Sequence, residues 1–151
     1  YEEQIDNEKY EYKPRDFATA RRNGIEDLLT RLNAARSSHP ALRQLRDIYF
    51  HPTSDDQIIA YSKRVDAFHS PTGKDDVVLT VVNLDPHGAR AGEVYLNLEA
   101  LGLPGWVDAS RPVVKVTDEL TGDTYEWSGQ NYVRLDPFAG QVAHVFSVEP
   151  L

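Results

Sequence analysis

A cation beside a phenol, Lys9-Tyr10, is the pair in this 151-residue chain best suited to holding a polar ligand. It sits in Glu8-Lys9-Tyr10-Glu11, within a polar stretch that also carries Tyr1 and Tyr12. An ammonium and a phenolic hydroxyl both donate hydrogen bonds to sugar hydroxyls or phosphate oxygens. By residue type alone, a solvated loop explains the same pair. The other reactive side chains lack the spacing that chemistry needs. His39, His51, His69, His87 and His144 are scattered, with no H-x-x-H beside an acid, so no zinc site is expected. His39, just before Pro40, reads as a helix stop with its ring near the helix C-terminus. Asp55-Asp56 and Asp75-Asp76 read as solvated turns, because no D-x-D-x-D-G calcium loop surrounds them. No G-x-S-x-G, Walker loop or G-x-G-x-x-G occurs. Glycosidic chemistry needs two facing carboxylates roughly 5–9 Å apart, and no acidic pair is singled out by its setting. No catalytic residue, metal or cofactor is assigned. Trp106 and Trp127, with Tyr125 and Tyr132, could form a sugar-stacking platform, but aromatics on strands mostly fill a core, which is the expectation here.

The elements that would position these residues change type along the chain. Lys13-Pro14-Arg15 reads as loop, and Asp16 as the N-cap of a short helical turn over 16–22. Ile25, Leu28, Leu29 and Leu32 fall at i, i+3, i+4 and i+7, which predicts a helix over 25–36 with one apolar face. Glu26 and Asp27 near its start, and Arg31 and Arg36 nearer its end, suit the helix dipole. Ser38-His39-Pro40 stops it. From residue 47 the period changes to two or to short apolar runs. Strands are expected at 48–50, 58–64, 77–83, 93–97, 113–118, 123–126, 132–135 and 143–148. Thr121-Gly122-Asp123 supplies a hairpin glycine. Leu84-Asp85-Pro86-His87-Gly88, Pro71-Thr72-Gly73-Lys74-Asp75 and Gly102-Leu103-Pro104-Gly105 mark further turns. Eight short strands between frequent turns form the pattern of an antiparallel β-sandwich. The fold expected is thus mainly β, preceded by one helix.

Composition narrows the function classes. Residues 1–46 are nearly neutral, with nine Lys/Arg and eight Asp/Glu, whereas 47–151 carry seven against sixteen. So acidic a β-region argues against nucleic-acid and anionic-membrane partners. No run of 18 apolar residues exists that could span a bilayer. There is no cysteine, which excludes disulfide and thiol chemistry and fits a cytoplasmic protein. There is also no methionine and no signal-peptide character at Tyr1, so the chain reads as a piece from the C-terminal end of a longer protein.

The helix carrying Leu32-Asn33-Ala34-Ala35-Arg36-Ser37-Ser38-His39-Pro40-Ala41-Leu42-Arg43, followed by a β-sandwich, resembles the end of an α-amylase-superfamily chain. Glu8-Lys9-Tyr10-Glu11, Ile59-Ala60-Tyr61-Ser62-Lys63-Arg64, Val81-Val82-Asn83-Leu84-Asp85-Pro86, Asp118-Glu119-Leu120-Thr121-Gly122 and Asn131-Tyr132-Val133-Arg134-Leu135-Asp136-Pro137 narrow it. Together they resemble the bacterial α-1,4-glucan:maltose-1-phosphate maltosyltransferase family over nearly the whole chain. Residues 65–74 are longer than the family pattern, and no role is carried onto them.

That resemblance implies a transferase that moves maltose from maltose-1-phosphate to the non-reducing end of an α-1,4-glucan, releasing phosphate. It implies a retaining mechanism, with an aspartate nucleophile and a glutamate acid/base, both upstream of Tyr1, so this chain alone would be inactive. It assigns Lys9 and Tyr10 to holding the donor maltosyl unit. It implies 1–46 as the end of a catalytic (β/α)8 barrel, 47–151 as an all-β C-terminal domain, no cofactor, and a homodimeric full-length enzyme. The alternative is a non-catalytic carbohydrate-binding or structural β-sandwich module. An exposed tryptophan would favour sugar binding. Two buried tryptophans and an apolar flank would favour the structural role.

Overall fold

The computed structural model of the chain describes residues 24–151, together with Pro14, Phe17 and Ala18. Phe17 and Ala18 are helical, the described part of the turn expected over 16–22. The main helix, α1 (Glu26–Ser38), has Glu26 and Asp27 in its first turn and Arg36 in its last, in the order its dipole favours. It ends because Pro40 forces His39 into an extended conformation, φ −101° and ψ 111°. The same proline then opens a second short helix, α2 (Pro40–Arg43), from its first position. Proline suits that position, because its fixed φ is already helical and no N–H is needed there. Reading Pro40 only as a stop missed this helix.

The eight expected strands are all present: β1 (Ile48–His51), β2 (Ile58–Val65), β3 (Asp76–Asn83), β4 (Arg90–Tyr95), β5 (Val114–Asp118), β6 (Thr124–Trp127), β7 (Gln130–Leu135) and β8 (Ala143–Pro150). The largest shift in bounds is β4, which begins three residues earlier than the expected 93–97 and ends two earlier. Six strands form one sheet in the order β1-β2-β3-β8-β5-β6, and β4 pairs with β7 in a second. Every pairing is antiparallel. The β5–β6 hairpin turns at Gly122, whose φ of +86° is a backbone state that glycine adopts without a Cβ penalty. Asp118 N–H to Asp123 O, 2.8 Å, closes it.

Alternation sends one face of the large sheet inward. Ala60, Leu79, Val81, Val114, Val116, Phe146 and Val148 meet Val94, Val133 and Leu135 from the small sheet in one core, which makes the pair of sheets a sandwich. Trp127 packs edge-on against Phe146, ring centroids 4.9 Å apart. The outer face of the large sheet carries a smaller cluster, Val65, Val78, Leu120 and Val145, with Ala41 buried on it and Leu28 and Leu42 alongside. The helices therefore lie across the outside of the sandwich. Between them and β1 the chain passes through Asp47 at φ +58°, the one non-glycine residue with positive φ among the described residues. Aspartate is among the residue types that tolerate this region.

Candidate functional site

Lys9 and Tyr10, the expected ligand-holding pair, lie outside the described residues. What the described residues offer is a set of surfaces around the sandwich, and each can be tested for chemistry.

The helix face comes first. The expected single stripe is split by the packing. Leu28 turns to the cluster on the outer sheet. Arg31 donates to the carbonyl of Leu120, and Ala35 is buried. Ile25, Leu29 and Leu32, farther round the same stripe, stay exposed, Leu29 at 47%. A helix placed with one flank on a sheet and a second apolar flank open has room for a second partner. Elsewhere on the sandwich, edge strand β1 exposes Ile48, Tyr49 and Phe50, and Leu45 just before it is almost fully exposed. Phe50 stands over Tyr61 of β2, centroids 5.9 Å apart.

At the corner between α1 and α2, His39 is more than a stop. Its Nδ1 lies 2.7 Å from Asp76 Oδ1 and its Nε2 3.2 Å from Glu119 Oε1. Asp76 also accepts the N–H of Ala41 at 2.8 Å. The Asp76 hydrogen bond, outweighing burial, holds the His39 pKa above its ordinary value. Burial alone would raise the Asp76 carboxyl, yet its bonds from His39 and Ala41 hold it below the usual range. The signal for this cluster was in the sequence only as three separate residues far apart in the chain.

Two further histidines are buried. His51 accepts the N–H of Asn97 at Nδ1, 3.1 Å, so its Nε2–H donates to Ser62 Oγ, 2.9 Å. The ring is neutral, and burial pushes its pKa down to about 4. His144 Nδ1 lies 2.7 Å from Asp118 Oδ2, and Asp118 is wholly buried. The other carboxylate oxygen of Asp118 accepts the N–H groups of Leu120 and Val145 at 2.9 and 3.4 Å. The acidic pairs noted in sequence have structural partners as well. Asp75 holds Arg64 at 2.7 Å, Asp55 accepts the N–H of Gln57, and Asp76 serves His39. Among the described residues no group of three or more His, Cys, Asp or Glu side chains could hold a metal ion. No helix among them is long and apolar enough to cross a membrane.

The four aromatics do not assemble into one platform. Trp127 is in the core at 7% exposure, as expected. Trp106 stands out in a loop at 86%, contrary to the core expectation, and Tyr132 is also largely exposed. Both belong to positions without an inward-facing strand register: Trp106 is in no strand, and Tyr132 lies on the outer face of β7. Trp106 borders a groove of about 360 Å³ walled by Leu103, Pro104, Pro112, Val113 and Pro150. A second hollow of about 620 Å³ lies beside the α2–β1 turn, lined by Gln44, Tyr49, Arg64, His69 and Glu99. Its charges include both signs, Arg46 and Arg64 beside Asp47, Asp66 and Glu99, and Arg64 is paired with Asp75.

Comparison with known proteins relates the sequence to one family. A family model described as "GLGE, C-terminal" matches residues 50–148. The chain is 49% identical over 151 residues to the alpha-1,4-glucan:maltose-1-phosphate maltosyltransferase of Arcanobacterium haemolyticum, covering 99% of this chain and 21% of that protein. It is 50% identical over 149 residues to maltosyltransferase 2 of Streptomyces coelicolor, covering 97% of this chain and 20% of the relative. The Mycobacterium tuberculosis enzyme of the same name is 44% identical with the same coverage. The chain spans about a fifth of the length of the curated relatives it matches. From the family match over the sandwich, the chain belongs to the GLGE C-terminal family.

Proposed function

We propose that this chain is the C-terminal part of a maltosyltransferase, which takes maltose-1-phosphate and extends the non-reducing end of an α-1,4-glucan with release of phosphate. The observation that carries the reading is near-half identity along almost the entire chain to proteins of that name. The reaction retains configuration at the sugar. A carboxylate attacks the anomeric carbon as phosphate leaves, and the acceptor hydroxyl then displaces the carboxylate with a second carboxyl group serving first as acid and then as base. In this reading both carboxyl groups belong to a catalytic barrel whose final segment is 1–46, and 47–151 form the flanking domain. Lys9 and Tyr10 hold the donor: the ammonium and the phenol hydrogen-bond sugar hydroxyls, and neither breaks a bond. A homodimer and a cytoplasmic location belong to the same proposal, as does the absence of nucleic-acid or membrane partners. The open flank of α1 supports the division at 46–47, since a helix closing a barrel presents apolar residues to a second partner.

The test is phosphate release from maltose-1-phosphate in the presence of maltohexaose, by a longer protein that includes this chain. Release is expected from the longer protein and not from the 151 residues alone. Lys9→Ala in the longer protein is expected to raise the donor KM about tenfold or more, the effect of losing one charge-assisted hydrogen bond. Unchanged donor dependence removes Lys9 from the site.

The exposure of Trp106 favours a second reading, a carbohydrate-binding role for the sandwich. An indole in solvent can stack on a sugar ring. Maltoheptaose should then quench the fluorescence of the exposed tryptophan, and Trp106→Ala should abolish the change while leaving the buried Trp127 signal. No quenching in the native chain leaves the structural role alone.

A further inference from the structure

We propose that His39 is a protonation-dependent latch that fastens α1 to the six-stranded sheet, its imidazolium bridging Asp76 on β3 and Glu119 at the β5–β6 corner. The geometry carries this. Both ring nitrogens meet carboxylate oxygens, at 2.7 and 3.2 Å. Ionised carboxylates only accept hydrogen bonds, so both contacts are made only when each nitrogen carries a proton. The ring and the Asp76 side chain are mostly enclosed, at 13% and 15% exposure, so that contact is shielded from water, while Glu119 is more open at 29%. The bridge joins three elements that are 37 and 80 residues apart in sequence.

Among the described residues, the other basic groups near the corner make contacts elsewhere or face solvent. Arg31 of α1 donates to Leu120 O, and Arg43 of α2 to Ser37 O. Arg36 at the end of α1 is exposed. On β2, Lys63 donates to Gln44 O and Arg64 holds Asp75. Asp118, next to Glu119, turns inward to His144. Among the described residues, His39 is the cation with both Asp76 and Glu119 at hydrogen-bond distance. Its raised pKa agrees with that role. Once the ring is neutral it can donate from one nitrogen only, and one carboxylate loses its partner. The remaining fasteners are Leu28, Ala41 and Leu42 on the outer cluster and the Arg31 bond. The helix then stays on the sheet but opens more often, and with it moves the flank bearing Ile25, Leu29 and Leu32.

The latch is read by amide hydrogen exchange of the 151-residue chain across about pH 6 to 9, with protection factors corrected for intrinsic exchange. Protection of 26–38 relative to β3 should fall about tenfold with rising pH, the scale of one charge-assisted hydrogen bond. The midpoint should coincide with the His39 ring titration followed by NMR, and that titration should lie above the ordinary histidine value. In His39→Gln, which hydrogen-bonds without titrating, the relative protection should be low and flat. A constant ratio in the native chain overturns the proposal. So does a pH-dependent fall that persists in His39→Gln. If that variant fails to fold, the native midpoint against the ring titration decides the matter alone.

Discussion

Asp118→Ala should lower the folding stability of this chain by about 3–5 kcal/mol, as removal of one buried acceptor shared by several donors does. The Asp118 carboxylate is fully buried and serves three donors: the His144 ring at 2.7 Å and the N–H groups of Leu120 and Val145. Alanine removes the shared acceptor from all three, leaving His144 Nδ1 only Gln141 at 3.2 Å, and each buried orphan costs about 1–3 kcal/mol. His144 stacks on Phe146, centroids 4.7 Å apart, so its displacement would also disturb the ring that Trp127 packs against. Against a typical domain stability of about 5–15 kcal/mol this is a large fraction. Urea unfolding followed by Trp127 fluorescence measures it. A loss below about 1 kcal/mol would mean the carboxylate is not the organising acceptor of the β5–β8 seam.

Acid should destabilise the fold through His51 before most carboxylates titrate. In the folded chain the ring is neutral, with its pKa pushed down by burial from 6.5 to about 4. The unfolded chain binds a proton near pH 6.5 that the folded chain refuses until about pH 4. Stability is therefore present above the upper value and lost as pH falls between the two. The linked loss approaches about 3 kcal/mol at the lower end. His39 acts with the opposite sign. Its pKa is raised on folding, so its contribution is complete in mild acid and lost as pH rises through the folded value. Stability measured against pH should show a histidine-driven decline on the acid side. His51→Gln should flatten that decline while leaving the alkaline arm in place. An unchanged acid arm in His51→Gln would assign it to other groups.

The β half of the molecule was legible because its signals are local. The strand 77–83 is a β-branched run, and the Thr121-Gly122-Asp123 turn carries its own glycine, so neither needed knowledge of its partners. The helix was legible in position and misread in packing. Ile25, Leu28, Leu29 and Leu32 make one stripe on a helical wheel, but the sheet claims Leu28 along with Ala35, and the other three remain open. Periodicity records which residues are apolar and not how many surfaces share them. His39 shows the same limit. Next to Pro40 its local role as a stop is correct, while its bonds to Asp76 and Glu119 come from residues brought together only by sheet formation. Trp106 failed as a core residue because burial of an aromatic follows strand register, and the loop holding it has none. The donor-binding role proposed for Lys9-Tyr10 rests on the family resemblance, and no spacing within the chain could supply it.

The flank formed by Ile25, Leu29 and Leu32 should be covered in a longer protein if α1 closes a catalytic barrel. The direct measurement places a cysteine at Leu29, in a chain with no other cysteine, and compares thiol labelling in the 151 residues with labelling in a longer protein carrying the preceding segment. Rapid labelling in the short chain and at least about hundredfold protection in the longer one is expected, as for a side chain moved from solvent into a stable interface. Equal, rapid labelling in both would contradict the barrel-closing role of the helix.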